Sequence, residues 1–287
     1  WAVPLLRCLE CLDGPLRIEP ASIRCEKCGT QYPRRGDVVD FLYCPNPIVV
    51  RERNAVHEID RTKGAPPEWT HDILRRLDLD LITQQDVEQS AHVRAITESR
   101  RHVLEFLQLV PLPSHAIVLE IGADLCWSSS ILLNAGHHVI ATDITDHLFL
   151  AKDGDREELC RVQADMNKLP IADGAVDIVF ATSCVHHSWN LGTTFSEIAR
   201  VLKPKGKAYL CGEPIPTPLR YLFGGSFGKD ERALGINETW IPRAEWMKAS
   251  KRAGLRPTIV SPKLDAALLG ERLARRGIPS FLGRVLR

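Results

Sequence analysis

Apolar and polar positions follow three different patterns along the 287 residues of the chain. Up to about residue 44, short alternating stretches such as LRIEP and DVVDFL are typical of small hairpins. From about residue 67 to 109 the apolar positions recur at three, four and seven, as in HVRAITESRRHVLEFLQLV, until Pro111 and Pro113 end the pattern. This periodicity predicts helix. We interpret CPNPIVVRERN and RTKGAPPEW, which lie between these two regions, as linker.

The pattern changes again at Ile117. The runs AIVLEI, HHVIATDI, VDIVFAT and GKAYLCGE are short, apolar and rich in β-branched residues, and helical segments lie between them. Strands that alternate with helices imply βαβ units and a parallel sheet buried on both faces. We therefore predict an α/β fold with a doubly wound, mostly parallel sheet.

The domain boundaries follow from these patterns. We predict a small N-terminal domain over residues 1–45, a linker with helices over 46–112, the α/β domain over 113–262, and a helical tail over 263–287. In the tail, basic residues outnumber acidic residues six to two. Such a tail can dock on RNA or a membrane surface, although a solvated helix at the sheet edge is the more common outcome.

The composition of the chain indicates which binding partners and which location to expect. The 37 Lys and Arg residues nearly balance the 36 Asp and Glu residues, so the chain has no overall field that attracts nucleic acid. Charges and prolines interrupt every apolar run, so we expect a soluble protein without a membrane span. The chain starts at Trp1 and shows no secretory leader pattern, and we expect a cytoplasmic location.

Four of the nine cysteines form two C-x-x-C pairs. Cys8 and Cys11 are separated by 13 residues from Cys25 and Cys28, and Gly29 lets the backbone turn after the second pair. Four thiolates at this spacing predict a closed tetrahedral zinc site, which is structural rather than catalytic. Two disulfides or a redox C-x-x-C are the alternatives, and the doubled motif without a leader disfavours both.

The stretch VLEIGADLCWSS, residues 118–129, predicts a cofactor loop between a strand and a helix. Asp124 and Cys126 stand where a G-x-G-x-G run would have its second and third glycines. A dinucleotide loop needs G-x-G-x-x-G, and Asp124, at its middle glycine, would repel a diphosphate. S-adenosylmethionine (SAM) carries a sulfonium and an ammonium group and no phosphate. We therefore expect Gly122 to keep the tight turn and Asp124 to pair with the ammonium of SAM.

Further acidic residues follow the next strands. Asp143 ends the second strand 21 residues after Gly122, where a carboxylate can accept ribose hydroxyls; a helix N-cap is its alternative role. Asp165 follows the third strand and is either a ligand contact or a solvated turn residue. Asp177 begins the fourth strand, where we expect it to cap the turn ahead of that strand. Cys126 and Trp127 are interpreted as packing residues at the helix start.

In their order and spacing these motifs resemble the class I SAM-dependent methyltransferases, most closely the type 11 group, over residues 115–262. The resemblance implies that Glu120 and Gly122 line the methionine end of SAM, that Asp143 holds the ribose, and that Asp165 and Met166 border the adenine. The N-terminal stretch RCEKCGTQYPRRGDVVDFL resembles the zinc ribbons that accompany certain methyltransferases. The residues that match that layout are Tyr32, Pro33, Asp37 and Phe41.

The methyl acceptor is expected at the carboxyl end of the fourth strand. His186 or His187 is the candidate general base, because imidazole titrates near neutral pH; the alternative is that both only shape the pocket. A Pro/Gly-rich insertion over about 214–242 is predicted to be a substrate lid or a plain surface loop. Its candidate contacts, together with the residue just before it, are Glu213, Arg220, Tyr221 and Trp240.

These observations predict a methyltransferase that acts on a small-molecule acceptor, through a hydroxyl of a sugar, lipid precursor or secondary metabolite. Two alternatives remain at this stage. An RNA methyltransferase is suggested by the ribbon and the basic tail, but the balanced charge and the lack of an Asn/Asp-Pro-Pro-aromatic motif after the fourth strand argue against it. A silent SAM-fold binding module is supported only by the substituted glycines.

Overall fold

The computed structural model describes residues 1–42, 45–63, 75–76, 81–89, 91–110, 112–151, 155–216 and 228–259. Within these ranges the strands form one nine-stranded sheet in the order β1-β2-β3-β4-β7-β6-β5-β8-β9. The strands are β1 Leu16–Ile18, β2 Ser22–Cys25, β3 Gln31–Arg35, β4 Val38–Asp40, β5 Ile117–Ile121, β6 His138–Asp143, β7 Leu159–Gln163, β8 Val176–Thr182 and β9 Leu202–Cys211. The helices are α1 Pro47–Lys63, α2 Gln84–Gln89, α3 Ala91–Leu109, α4 Trp127–Asn134, α5 Leu191–Val201, α6 Lys229–Leu234 and α7 Arg243–Arg252.

The five strands from β5 to β9 pair in parallel. Their residues alternate between two apolar clusters, one on each face of the sheet. Leu119 and Val179 belong to the first cluster; Val118 and Phe180 belong to the second. Because both faces are buried, these strands are apolar at nearly every position. The prediction of an α/β fold with a mostly parallel, doubly wound sheet is confirmed.

The N-terminal hairpins continue this sheet. Strands β1 to β4 pair antiparallel with one another, and β4 then pairs in parallel with β7, so that Val39 is opposite Val162. The fully buried ring of Tyr32 stacks on Phe41, with 4.3 Å between ring centroids. Trp1–Leu255 therefore forms one compact unit, in which the cysteine-rich segment shares the sheet and the core.

Helix α1 occupies residues that the sequence pattern placed in a linker. Asn46 starts it, because its side-chain Oδ1 accepts a hydrogen bond from the backbone N–H of Ile48 at 2.9 Å. Pro47 fits the first helical position, where its fixed φ suits the helix and its missing N–H costs nothing. The linker interpretation of this segment was wrong, and an Asn-Pro start is the signal that it overlooked.

The second predicted helical region contains α3, which ends at Leu109 just before Pro111, as the periodicity indicates. Its residues Val93, Ile96 and Val103 are buried. Among the described residues, no helix is both long enough and apolar enough to cross a bilayer. The predicted tail over 263–287 lies outside the described residues.

Candidate functional site

Four cysteine thiols come together in the N-terminal hairpins. Cys8 Sγ is 3.6 Å from Cys28 Sγ, Cys11 Sγ is 3.5 Å from Cys25 Sγ, and all four sulfurs lie within 4.8 Å of one another. Thiolates around one tetrahedral zinc stand about 3.8 Å apart, because each Zn–S bond is about 2.3 Å long. The spacing therefore fits a single metal ion. All four thiols are free in this structure, so neither C-x-x-C pair is joined by a disulfide here.

The residues around the thiols suit a closed site. A Cβ atom on Gly14 would lie 2.2 Å from Cys25 Sγ, so no larger residue fits there. The Tyr32 hydroxyl accepts a hydrogen bond from the backbone N–H of Leu9 at 2.8 Å, and it lies 3.2 Å from Cys8 Sγ. When Cys8 is a thiolate, the Tyr32 hydroxyl is the donor of this contact, as partners of metal ligands commonly are.

The loop Gly122 to Cys126, here called the cofactor loop, joins β5 to α4. Gly122, Asp124 and Cys126 have φ angles of +67°, +48° and +58°. These left-handed conformations are easy for glycine and uncommon for other residues. Asp124 and Cys126 therefore follow the path that glycines would take. Cys126 and Trp127 are buried at the start of α4, consistent with the packing role expected of them.

Gly122 is required by a close approach as well as by its φ angle. A Cβ atom on it would lie 2.4 Å from Cys184 Cβ. The Cys184 thiol donates a hydrogen bond to the carbonyl oxygen of Ile121 at 3.0 Å. The end of β5 is thereby fastened to the residues that follow β8.

Asp143 braces the cofactor loop from the carboxyl end of β6. Its Oδ2 accepts the backbone N–H of Asp124 at 2.9 Å, and its Oδ1 accepts the backbone N–H and the hydroxyl of Thr145, each at 2.8 Å. Burial and the nearby charge of Asp124 raise the pKa of Asp143. The helical turn that follows begins at Asp146 with Thr145 as its N-cap, so Asp143 is not the N-cap that the sequence left as an alternative.

Glu120 lies directly beneath the same loop. Its side chain is fully buried, and its two oxygens accept the hydroxyls of Ser128 and Ser129 in the first turn of α4. Burial raises the pKa of Glu120 to about 7. In this structure the carboxylate positions the first turn of α4, and the ligand contact that the resemblance implied stays a prediction.

Asp124 meets a cation of the chain itself. Its Oδ1 is hydrogen-bonded to Nδ1 of His147, and Nε2 of the same ring is 2.6 Å from Asp60 Oδ2 on α1. Burial opposes the charged imidazole, but the hydrogen bonds to the two carboxylates raise the pKa of His147 to about 11. Asp124 is thus paired with an imidazolium on the turn after β6, and its pairing with the ammonium of the cofactor stays a prediction.

Asp165 and Met166 follow β7 at the same edge of the sheet. Asp165 Oδ2 accepts the indole N–H of Trp189 at 2.9 Å, and its Oδ1 accepts the backbone N–H of Asn167 at 2.8 Å. Burial raises the pKa of Asp165. Asp165 is therefore held by hydrogen bonds at this edge of the sheet and is not a solvated turn residue. Met166 is half-buried and packs against the apolar cluster on one face of the sheet.

Two observations concern the residues around β8. Asp177 Oδ2 accepts the backbone N–H of Ile117 at 3.0 Å, which agrees with the structural role expected of it. At the other end of the strand, the hydroxyl of Thr182 is buried and has no hydrogen-bond partner among the described residues. Thr182 lies beside the cofactor loop in the sheet order, where a polar ligand would provide the missing partner.

Two histidines and three glutamates meet after β8. We call this group the His–Glu cluster; its members are His186, His187, Glu52, Glu213 and Glu238. His186 Nδ1 is 2.8 Å from Glu213, and its Nε2 is 3.3 Å from Glu238 Oε1. His187 Nδ1 is 2.7 Å from Glu52 on α1, and its Nε2 is 3.1 Å from Glu238 Oε2. Every ring nitrogen therefore faces a carboxylate.

Glu213 also organises the backbone of this turn. Its carboxylate accepts the backbone N–H groups of Cys184, Val185 and His186 at 3.2, 2.9 and 3.2 Å. The side chain is only 4% exposed. Glu213 was expected to contact substrate, but the structure uses it to hold the turn that presents both histidines.

This arrangement bears on the predicted general base. A base needs an unprotonated ring nitrogen, but both nitrogens of each imidazole face carboxylates. Burial opposes the charge, yet hydrogen bonds to Glu238 and Glu52 raise the pKa of His187 to about 10, and those to Glu213 and Glu238 raise the pKa of His186. In this arrangement a carboxylate contact occupies every ring nitrogen of the two histidines. The general-base role of either histidine therefore stays a prediction.

Sequence reasoning did not find Glu52 and Glu238. Glu52 lies 135 positions from His187, in the helix that was interpreted as linker. Glu238 lies in the predicted lid, where the sequence offered no reason to choose it over its neighbours. Trp240 is half-buried near by. Arg220 and Tyr221, the other predicted lid contacts, lie outside the described residues.

This chain is similar in sequence and in fold to known methyltransferases. Residues 119–210, about a third of the chain, match the family described as a methyltransferase domain. One similar protein is the malonyl-[acyl-carrier protein] O-methyltransferase of Legionella pneumophila, which is 32% identical over 125 residues. The match covers 42% of this chain and 43% of that relative, so the chain spans less than half of the relative's length.

Two solved structures share the fold. Phosphoethanolamine N-methyltransferase 2 of Haemonchus contortus, in complex with phosphomonomethylethanolamine and S-adenosylhomocysteine, has a TM-score of 0.52 at 15% identity and covers 78% of this chain and 50% of that one. A Haloferax volcanii complex of a methyltransferase with the Trm112 methyltransferase activator has a TM-score of 0.50 at 20% identity. The match covers 64% of this chain and 84% of that one. The fold is the Rossmann-like fold of SAM-dependent methyltransferases.

Proposed function

We propose that this chain is a SAM-dependent methyltransferase that transfers a methyl group to an oxygen of a small molecule, such as a hydroxyl of a sugar, lipid precursor or secondary metabolite. The observation that carries the proposal is the path of the cofactor loop. Asp124 and Cys126 hold left-handed angles in place of glycines, and Asp143 binds the loop backbone from the next strand. This favours an intact cofactor site over a silent module.

The residues at the sheet edge fit SAM. In this proposal the Gly122 backbone and Asp143 border the methionine and ribose, Asp165 and Met166 border the adenine, and Thr182 offers a hydroxyl. Glu120 and Asp124 act indirectly, since their carboxylates hold α4 and His147. When bound, SAM supplies a methyl group on a sulfonium that an oxygen nucleophile displaces in line. The contribution of the chain is then chiefly alignment of the acceptor with that methyl.

The clustering of the four cysteine sulfurs supports the proposal of a structural zinc ion. Four protein ligands leave no open position, so this metal would hold the hairpins and take no part in chemistry. Strand β4 joins the N-terminal hairpins to the central sheet beside β7. We therefore expect the metal to stabilise the hairpins and also the edge of the sheet that carries the cofactor loop.

An oxygen acceptor is supported by the Legionella relative, whose name gives it O-methyltransferase activity on a malonyl-[acyl-carrier protein]. The net charge of +1 gives no field for an RNA backbone. The test is to incubate the full chain with methyl-tritiated SAM and either a metabolite fraction below about 1 kDa or total RNA. The proposal predicts label in the metabolite fraction as an ether or ester.

The Asp143→Asn variant should lose this transfer, whereas Asp155→Asn, at an exposed turn, should keep it. Label in RNA alone would contradict the proposed acceptor. Absence of label together with absence of SAM binding would contradict the methyltransferase activity itself.

A further inference from the structure

The His–Glu cluster has the geometry of a metal site. Nε2 of His186 and Nε2 of His187 face the two oxygens of one carboxylate, Glu238, at 3.3 and 3.1 Å, and the three groups offer ligand atoms within 4.8 Å of one another. Ligand atoms held about 2.1 Å from one metal ion are about 3.0 Å apart in an octahedron and about 3.4 Å apart in a tetrahedron. The observed spacings lie in that interval.

The opposite side of each ring carries the feature that commonly accompanies metal-binding histidine. His186 Nδ1 is 2.8 Å from Glu213, and His187 Nδ1 is 2.7 Å from Glu52. A ligating histidine usually donates its other ring N–H to a carboxylate, which fixes the tautomer and directs the second nitrogen to the metal. Here both rings are oriented in that manner, by carboxylates from different parts of the chain.

The loop that carries Glu238 is fixed against the histidines. The side chain of Asn237 donates to the carbonyl oxygen of His187 at 2.7 Å, and Arg232 donates to the carbonyl oxygen of Glu238 at 2.9 Å. A Cβ atom on Gly228 would lie 2.0 Å from Glu238 Cγ, so the loop packs closely on this side chain. The position of the carboxylate is therefore built into the loop.

Charge and burial point in the same direction. Three carboxylates converge on two imidazoles, so negative charge is in excess even when both rings are protonated. The side chains of His186, Glu213, Glu52 and Glu238 are 5%, 4%, 7% and 14% exposed, so water screens this excess poorly. A divalent cation among the ligand atoms offsets it.

We propose that His186 Nε2, His187 Nε2 and Glu238 bind a divalent transition-metal ion of the zinc class. This site follows the carboxyl end of β8, where the methyl acceptor is expected. The chemical role of the metal rests on the proposed function. Three protein ligands leave a position open for the acceptor oxygen, as in catalytic zinc sites. A coordinated hydroxyl loses its proton to water, and its electron pair forms the O–C bond as the C–S bond of the sulfonium breaks, leaving a neutral thioether. No histidine base is needed.

The test counts metal ions in the full chain. Protein incubated with Zn²⁺ and freed of excess by gel filtration should hold two zinc ions per chain, one in the four-cysteine site and one in the His–Glu cluster. Glu238→Gln and His187→Gln should each hold one, and Glu231→Gln, on the exposed side of α6, should hold two. With Co²⁺, the ion lost from Glu238→Gln should be the one without thiolate charge-transfer absorption.

Calorimetry with SAM separates this proposal from the proposed function. Glu238→Gln should bind SAM within about threefold of the wild type, which also shows that it folds. One zinc per wild-type chain with thiolate absorption in the Co²⁺ form, or two zinc ions in both cluster variants, would overturn the metal site and identify the cluster as an ion-pair network. If the wild type holds two zinc ions but does not bind SAM, only the proposed function is overturned.

Discussion

The cofactor loop and the His–Glu cluster lie at the same edge of the sheet, but they are built in different ways. The loop is a continuous run of five residues whose shape depends on its own φ angles and on one carboxylate from the next strand. The cluster combines residues of α1, of the turn after β8, of the end of β9 and of the loop after α6. A local site tolerates unusual residues if the backbone path is kept, whereas an assembled site fails when one distant partner is lost.

The largest effect is expected from removing a partner in the cluster. Glu213→Ala removes the acceptor of three backbone N–H groups and of Nδ1 in the buried His186 ring, and breaking a buried ion pair costs about 3–5 kcal/mol. Urea unfolding of the metal-free protein should show this loss in the free energy of unfolding. Glu231→Ala is the matched control and should stay within about 0.5 kcal/mol of the wild type. A cost below about 1 kcal/mol for Glu213→Ala would mean that the cluster is not held together by this carboxylate.

The second effect concerns the base of the loop and depends on pH. The pKa of Glu120 is raised to about 7 in the folded chain, so the folded state binds a proton more tightly than the unfolded state. Stability is therefore greatest below the unfolded pKa, near 4.5, and is lost as pH rises to about 7. The difference corresponds to about 3 kcal/mol.

Glu120→Gln keeps an acceptor for the serine hydroxyls and cannot ionise. Its free energy of unfolding should lose this decline between about pH 4.5 and 7, as measured by urea unfolding at several pH values. An equal pH dependence in wild type and variant would show that Glu120 is not the group responsible.

The third effect is on cofactor affinity. Asp143→Asn replaces a charged acceptor beneath the loop and beside the expected ribose with a neutral amide, and hydrogen bonds to charged groups are worth about 1.5–3 kcal/mol. The Kd for SAM should therefore rise roughly 10- to 100-fold. Calorimetry checks this, with Asp155→Asn as the control. An unchanged Kd would remove Asp143 from the site.

The smallest effect tests the backbone path itself. Cys126→Gly and Cys126→Ala both remove the buried thiol, but only glycine relieves the left-handed conformation, which costs other residues about 1–2 kcal/mol. The glycine variant should be the more stable by about 1 kcal/mol in thermal or urea unfolding. If the alanine variant proves the more stable, the loop does not keep this conformation in solution.

The comparison also explains what the sequence could predict. The parallel sheet, the order of its strands' motifs and the four-cysteine cluster follow from patterns within short segments, and these agree with the structure. The linker interpretation of residues in α1 was wrong because it missed the Asn46 cap and the Pro47 that follows it at the first helical position. Local signals were sufficient there, but one was misinterpreted.

The partners of charged residues could not be predicted in the same way. His147 lies 23 positions from Asp124, and His187 lies 135 positions from Glu52. Many carboxylates and histidines are spread along the chain, and only the fold selects which of them meet. The predictions of an ammonium partner for Asp124 and of a histidine base were made without knowledge of these contacts. Each ignored an opposite charge that tertiary packing brings into contact.

The central claim is that a loop without its usual second and third glycines still forms a SAM site. It is tested most directly by calorimetric titration of the full chain with SAM and, separately, with NAD. We predict saturable binding of one SAM per chain and no heat from NAD. A chain that binds NAD, or that gives no saturable heat with SAM, would contradict the account.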